Sequence, residues 1–295
     1  MEGLSPEVIQ ASLVRSAVVV LMVSLGLRVP VAAIVAAGRQ AWAFVATLAV
    51  GLVGIPVLAW LVVHALALPE AVAVGVLLVA AAPGGSLGLK LVDLADGDVA
   101  LGLGLFFVIA LIAPFSVPFT AALLVGAHGT SLSIDALPLV LTLLMIQLVP
   151  LVISLLVARL APQPARRLGA FATTATTVLL VALVATALTI NLDDVLAIGP
   201  TGVVAFLILI GGALLGGWLL GRRQPGTATA IGLLSAQRST SLALLIATSL
   251  GIPAVTGAVV AGGLILLVVN PLVARVLAAR HPVLLAGPPE FAERA

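Results

Sequence analysis

The chain has 295 residues, of which 62% are hydrophobic and only 8% are charged, and its mean hydropathy is +1.35. This composition excludes a soluble globular protein and predicts an integral membrane protein. With 13 Lys and Arg against 11 Asp and Glu, the charge gives no reason to expect a nucleic-acid partner. Cysteine is absent, and His64, His128 and His281 have no metal-ligand spacing, so we expect no metal, no cofactor and no catalytic residue.

Apolar stretches long enough to cross about 30 Å of hydrocarbon cover nearly the whole chain. They predict an all-α integral membrane protein with nine transmembrane helices at about 7–29, 41–66, 70–95, 99–127, 136–160, 168–190, 195–220, 227–250 and 253–279. The polar stretches between them, such as APQPARR, INLDD and GRRQPG, are too short to form further domains. Residues 1–295 are therefore expected to form a single membrane domain.

Positive charge is concentrated on alternate loops, which predicts that those loops are cytoplasmic. These loops contain Arg28, Arg39, Arg159, Arg166, Arg167, Arg222, Arg223, Arg275 and Arg280. The opposite side contains Glu2, Glu7, Glu70, Asp135, Asp193 and Asp194. We therefore expect a multi-pass protein of the cell membrane, with its N-terminus outside and its C-terminus in the cytoplasm.

The third stretch is interrupted at its middle by Pro83-Gly84-Gly85, followed by Ser86. In hydrocarbon every backbone N–H and C=O needs a partner, so a broken helix is tolerated only where it packs against protein or lines a watery cavity. Secondary transporters use such breaks to direct half-helix ends at a substrate or ion near the bilayer midplane. We therefore predict that this break is part of the working site.

The eighth stretch is also irregular, because Gln237, Arg238, Ser239 and Thr240 place polar groups and one full charge near the middle of the membrane. A central arginine costs about 2.5–3.5 kcal/mol on translocon scales, so Arg238 is predicted to face protein, water or a ligand. The third and eighth stretches run in opposite directions, which indicates an inverted repeat. The first repeat would cover about 7–127 with four helices and the second about 136–279 with five.

Several segments resemble the bile acid:sodium symporter family, particularly its bacterial members. They are residues 55–85 (IPVLAWLVVHALALPEAVAVGVLLVAAAPGG), the turn 96–101 (DGDVAL) and Asn270 in the last helix. The resemblance implies a core domain of about 41–127 and 195–279 with two crossing broken helices, and a panel domain of about 7–29 and 136–190. It also implies alternating-access transport of a bile-acid-like or smaller organic anion. Compared with the ten-helix members, we expect the first helix to be missing.

The side chains that bind two sodium ions in that family are largely absent. The corresponding positions are Gly51, Gly88, Leu89, Gly102, Phe106, Leu233 and Gln237, and of these only Gln237 matches. Sodium is a hard cation that needs several oxygen ligands, which glycine, leucine and phenylalanine side chains do not offer. We therefore predict that transport does not depend on sodium in the family's manner.

Lys90 and Arg238 stand next to the vacated sodium positions, and we hypothesise that they substitute for the ion. A desolvated lysine can release a proton near neutral pH, which would allow proton coupling. Arg238 would stay charged and could instead bind an anionic substrate through its planar fork. Lys90 could equally pair with Asp93 or extend to the membrane surface.

Further polar residues are candidates for the cavity lining: Arg15, Gln147, Thr173, Thr177 and Asn270. For Arg15 a pair with Glu7 or an outward-extended side chain is the preferred interpretation. For the threonines, a hydrogen bond to the preceding helical turn is preferred. Gln147 and Asn270 could form hydrogen bonds in the cavity or between helices.

A membrane transferase is the competing class, because Asp93, Asp96 and Asp98 form an acidic cluster of the kind that holds magnesium diphosphates. A second cytoplasmic aspartate motif is missing from the sequence, which favours a transporter. A passive channel or a sensor stays open, although neither explains two broken helices that run in opposite directions.

Overall fold

The computed structural model describes residues 6–28, 40–85, 87–130, 132–221 and 225–280, and these residues are almost entirely helical. The α-helices are α1 (Pro6–Arg28), α2 (Ala41–Leu48), α3 (Ile55–Ala65), α4 (Glu70–Ala81), α5 (Gly88–Leu94), α6 (Val99–Ala127), α7 (Ala136–Leu143), α8 (Val149–Leu160), α9 (Pro162–Leu196), α10 (Gly199–Gly221), α11 (Pro225–Ala236), α12 (Thr240–Leu250) and α13 (Pro253–Arg280). Two π-helical segments, π1 (Ala49–Gly54) and π2 (Leu144–Leu148), connect α2 to α3 and α7 to α8 without a break.

Seven helical segments of the described residues are long and apolar enough to cross a membrane. They are Ile9–Arg28, Ala41–Ala65, Val99–Ala127, Ala136–Leu160, Pro162–Ile190, Gly199–Gly221 and Pro253–Ala279. Three shorter apolar helices lie between them, at Glu70–Ala81, Gly226–Ala236 and Thr240–Leu250. The prediction of a helical multi-pass membrane protein is thus confirmed. The shorter helices come from the third and eighth predicted stretches, which are each split in two.

The helix of the sixth predicted stretch is longer at both ends than the predicted 168–190. Helix α9 has 35 residues and takes in APQPARR from Pro162 onward and INLDD, which were expected to be connections. A proline suits the first turn of a helix, where its missing N–H has no helical partner. At 1.5 Å per residue α9 is about 50 Å long, so its polar ends extend beyond the hydrocarbon core.

Five of the residues named in the sequence analysis lie outside the described residues: Glu2, Arg39, Arg222, Arg223 and His281.

The split helices lie at the centre of the protein. Every residue of α4 from Val72 to Ala81 is buried, and α4 packs against α13, α6 and α3. Helix α1 packs against α8 and α9, and it also contacts α12. Helix α9 packs along α13, and α10 packs along α11. The two breaks are therefore surrounded by protein, as the hydrogen-bonding rule for hydrocarbon requires.

Candidate functional site

The two helix breaks meet each other at the centre of the protein. Pro83 and Arg238 form an antiparallel β-bridge. On its two sides, the Ser239 N–H donates to the Ala82 carbonyl at 2.8 Å, and the Gly85 N–H donates to the Gln237 carbonyl at 3.0 Å. Backbone N–H and C=O groups that lose their helical hydrogen bonds at one break thus form hydrogen bonds with the other break.

Two glycines make this close approach possible. Gly84 has a φ of 82°, in the left-handed region that favours glycine. A Cβ on Gly85 would lie 2.4 Å from the Arg238 carbonyl oxygen, which is far inside contact distance. The Pro83-Gly84-Gly85 sequence therefore both ends α4 and admits the second chain segment.

The Arg238 side chain is enclosed by backbone carbonyl groups. It is only 2% exposed. Its Nε donates to the Val79 carbonyl at 3.3 Å, and its Nη1 donates to the carbonyls of Gly51 at 3.0 Å and Ser235 at 3.4 Å. Its Nη2 donates to the Ala80 carbonyl. We call these four oxygen atoms the carbonyl cluster.

Proline placement explains part of this cluster. In π1 the Ile55 N–H donates to the Val50 carbonyl, five residues back. The next hydrogen bond of this kind would join the N–H of residue 56 to the Gly51 carbonyl, but residue 56 is a proline. Proline has no N–H, which leaves the Gly51 oxygen free for Arg238. In a continued α4, Pro83 would have been the donor to Val79, whose carbonyl here accepts from the Ala82 N–H at 3.2 Å as well as from Arg238.

The cluster also has the electrostatic character of a cation site. Val79 and Ala80 lie in the last turn of α4, and Ser235 lies in the last turn of α11. Unsatisfied carbonyls give a helix C-terminus a partial negative charge of about half an electron, so two such ends converge on the guanidinium. Among the described residues no carboxylate lies within ion-pair distance of Arg238, and helix ends therefore replace a counter-ion.

A second polar pair lies beside the bridge. Asn270 is fully buried in α13, and its Nδ2 donates to the Gln237 Oε1 at 2.8 Å. Gly88, at the start of α5, lies against the same glutamine, since a Cβ there would be 3.6 Å from the Gln237 Cβ. Gln237 and Asn270 thus tie α13 to the second break.

A narrow cleft separates α1 and π2 from the breaks and α6. It is lined by Val18, Leu21, Met22, Pro83, Gly84, Phe106, Ile109, Ala110, Ala113, Gln147, Ser239, Ser241 and Leu242. Its free volume is about 10 Å³, which is the size of a single water molecule. Arg238 is not part of the lining, so in this structure the guanidinium faces the carbonyl cluster and not the cleft.

The model of the sodium bile acid symporter family matches residues 16–198, which is more than half of the chain. The chain belongs to this family. No curated protein matches it. The matched stretch includes the first break but ends before α10, so Gln237, Arg238 and Asn270 lie beyond it.

Apolar groups and Arg238 surround the positions that are predicted to correspond to the family's sodium ligands. Leu233 and Phe106 are buried, and a Cβ on Gly102 would lie 3.3 Å from the Leu89 Cδ1. Gly51 offers its carbonyl, but Arg238 already donates to it. The side chains at these positions, apart from Gln237, supply no oxygen ligand.

Eight of the predicted site residues come together around the bridge: Pro83, Gly84, Gly85, Gln237, Arg238, Ser239, Thr240 and Asn270. Ser86 lies outside the described residues. Lys90 is exposed on α5 and forms no ion pair with Asp93 or with any other described residue. Its position matches a side chain that extends to the protein surface.

The residues predicted to line the cavity differ in where the structure places them. Gln147 lines the cleft, whereas Arg15 is exposed and lies outside the lining. Thr173 and Thr177 donate to carbonyls four residues back, as the structural interpretation predicts. Thr173 also bonds Ser24 and accepts from Arg28 at 3.0 Å, so it joins α9 to α1.

Two of the histidines, His64 and His128, contact each other. The rings of His64 and His128 pack edge to face with their centroids 5.0 Å apart, next to Trp60. Burial and the neighbouring His64 lower the pKa of His128, while Glu70 raises it to a smaller extent.

The described residues contain no group of three side chains that could hold a metal ion. Asp98 of the acidic cluster caps α6 by accepting from the Leu101 N–H at 2.9 Å.

The carbonyl cluster and π2 are the features that sequence reasoning missed. In the sequence Gly51 stands out only as a lost side-chain ligand, and the side chains of Val79, Ala80 and Ser235 give no sign that their backbone carbonyls surround a cation. The available signal was a proline placed where its missing N–H leaves a carbonyl free, as Pro56 does for Gly51.

Proposed function

We propose that this protein is a secondary transporter that carries an organic anion by alternating access without sodium. In this proposal the Arg238 guanidinium is a permanent substitute for a bound sodium ion. The observation that carries it is the carbonyl cluster, in which four backbone oxygens surround a buried cation at the family's sodium region.

The physical reason for substitution is charge balance. The two half-helix C-termini present negative partial charge that needs a cation in a low-dielectric interior. In the family a mobile ion meets that need, whereas here a tethered one is always present. A permanent cation cannot couple an ion gradient to transport, so sodium should have no effect on binding or rate.

The narrow cleft supports alternating access. A volume of about 10 Å³ cannot hold an organic anion, since ligand sites usually measure 300–1,000 Å³. Substrate entry therefore requires α1 and π2 to separate from the breaks and α6. This separation corresponds to movement of a panel of about 7–29 and 136–190 against a core of about 41–127 and 195–279.

The topology belongs to the same proposal. Nine membrane crossings follow if α4 with α5 and α11 with α12 each make one broken crossing beside the seven long segments. The N-terminus is then outside and the C-terminus cytoplasmic, and the chain divides into repeats of four and five crossings. Proton coupling through Lys90 stays a prediction, which its exposed position does not favour.

Uptake by purified protein in proteoliposomes tests the proposal. The labelled probes are taurocholate, 2-hydroxyisovalerate and isovalerate, each assayed for counterflow with sodium, potassium or choline as the external cation. We expect saturable counterflow of at least one probe, with rates that agree within about twofold among the three cations, a difference of about 0.4 kcal/mol. A strict sodium requirement would contradict the role given to Arg238, and absence of counterflow for every probe would contradict anion transport.

Within the described residues, no observation favours the transferase. Asp98 is occupied as a helix cap, Asp93 and Asp96 are exposed, and no metal-binding group is found within the described residues.

A further inference from the structure

The Gln147 side chain in the cleft has one fixed end and one unused end. Gln147 lies in π2 and is 2% exposed. Its Nε2 donates to the Ala110 carbonyl on α6 at 2.8 Å, across the cleft. Its Oε1 has no hydrogen-bond partner among the described residues.

The position of Pro114 fixes the orientation of this amide. Within α6 the Ala110 carbonyl would normally accept from the N–H four residues later, but that residue is Pro114, which has none. The freed carbonyl is an acceptor only, so it faces the NH₂ end of Gln147 whenever the panel closes against the core and this hydrogen bond forms. The Oε1 end is therefore left with its acceptor capacity unused, at the wall of the cleft.

A buried amide oxygen without a hydrogen-bond donor costs free energy, so a ligand group that donates to it is favoured there. It accepts hydrogen bonds and repels a carboxylate, so it cannot bind the anionic group of a substrate. It can bind a hydroxyl or an amide N–H elsewhere on the same molecule. The cleft around it is lined mainly by apolar side chains such as Leu21, Met22 and Ile109.

We propose that Gln147 is a specificity-determining residue that selects organic anions carrying a hydroxyl or amide N–H donor next to an apolar body. This inference rests on the proposed anion transport. Its consequence is that a hydroxylated acid binds better than the same acid without the hydroxyl, because the latter leaves the Oε1 unpaired.

The test compares pairs of acids that differ by one hydroxyl: 2-hydroxyisovalerate with isovalerate, mandelate with phenylacetate, and cholate with deoxycholate. Dissociation constants are measured in nanodiscs for the unaltered protein and for Gln147→Leu and Gln147→Met. Gln10→Leu is the matched control, because Gln10 is also a buried glutamine with an unpaired side-chain atom but does not line the cleft.

For at least one pair we expect the unaltered protein and Gln10→Leu to bind the hydroxylated acid about tenfold more tightly. Both Gln147 variants should lose this preference and still bind the acid without the hydroxyl, which also proves that they are folded. A preference that persists in the Gln147 variants, or equal binding of both acids by the unaltered protein, would overturn the role of Gln147 but not anion binding. If the unaltered protein binds no acid of any pair, the proposed function fails as well.

Discussion

The two helix breaks at the centre of the protein are built from opposite kinds of residue. The first consists of Pro83 and two glycines and contributes no side-chain donor, whereas the second contains Gln237, Arg238 and Ser239. The end of α4 before the first break offers two carbonyls of the carbonyl cluster, and the second break supplies the guanidinium that binds them. Each break would leave buried polar groups unpaired without the other.

This difference explains how a helical membrane protein tolerates two interruptions at the same depth. Proline and glycine expose carbonyls and allow close contact, and polar side chains provide the matching donors. The first break lies in the stretch matched by the family model, while the second lies beyond it. In the proposed function, Arg238 adapts the meeting of the two breaks to work without a mobile cation.

The largest effect is expected from removing the donor. Arg238→Met keeps much of the side-chain length but leaves the buried carbonyls of Gly51, Ala80 and Ser235 without their donor, while Val79 keeps the Ala82 N–H. Each unsatisfied group costs about 1–3 kcal/mol. We expect the apparent melting temperature in detergent to fall by about 6–12 °C for a loss of about 3 kcal/mol. Arg15→Met, at an exposed arginine of α1, is the control and should have little effect.

The same site offers a sharper test with sodium. Arg238→Ala vacates the carbonyl cluster and leaves oxygen atoms that a hard cation can bind. We therefore expect sodium to raise the melting temperature of Arg238→Ala but not that of the unaltered protein, with choline as the reference cation. Equal responses of both proteins to sodium would contradict the substitution of the ion by the guanidinium.

The next largest effect concerns the contact between the breaks. Gly85→Ala places a Cβ 2.4 Å from the Arg238 carbonyl oxygen, so the two segments must move apart. A forced shift of this kind in a packed interior costs about 1–3 kcal/mol. Gly211→Ala in α10 is the matched control, because nothing lies within 4 Å of its added methyl group. A melting temperature for Gly85→Ala equal to that of the control would refute the close approach.

How far the sequence predicts this arrangement depends on whether side chains or backbone atoms are involved. Pro83, Gly84 and Arg238 could be identified, because helix breakers and a full charge are rare in an apolar stretch. The partners of Arg238 could not, since every residue has a carbonyl and only the fold decides which ones converge. The length of α9 was also missed, because hydropathy marks the hydrocarbon boundary and not the end of a helix.

A smaller effect is expected at the pair that ties the second break to α13. Asn270→Leu leaves the Gln237 Oε1 without its donor, and hydrogen bonds between membrane helices are worth about 1 kcal/mol. Gln237→Leu combined with Asn270→Leu removes both partners and should cost less than the two single changes added together. Strictly additive losses in this double-mutant cycle would mean that the two side chains do not interact energetically.

The smallest effect is expected at the cation next to the first break. Lys90 is exposed and has no ion-pair partner among the described residues, in contrast to the enclosed Arg238. We therefore expect Lys90→Ala to change neither the rate of counterflow nor its dependence on pH between pH 5 and pH 8, measured with the probe that the unaltered protein transports. Lys90→Arg, which keeps the charge but holds its proton, is the control. If both variants flatten the pH profile, Lys90 exchanges a proton during transport, and the two breaks then divide the work between a fixed cation at Arg238 and a titrating one at Lys90.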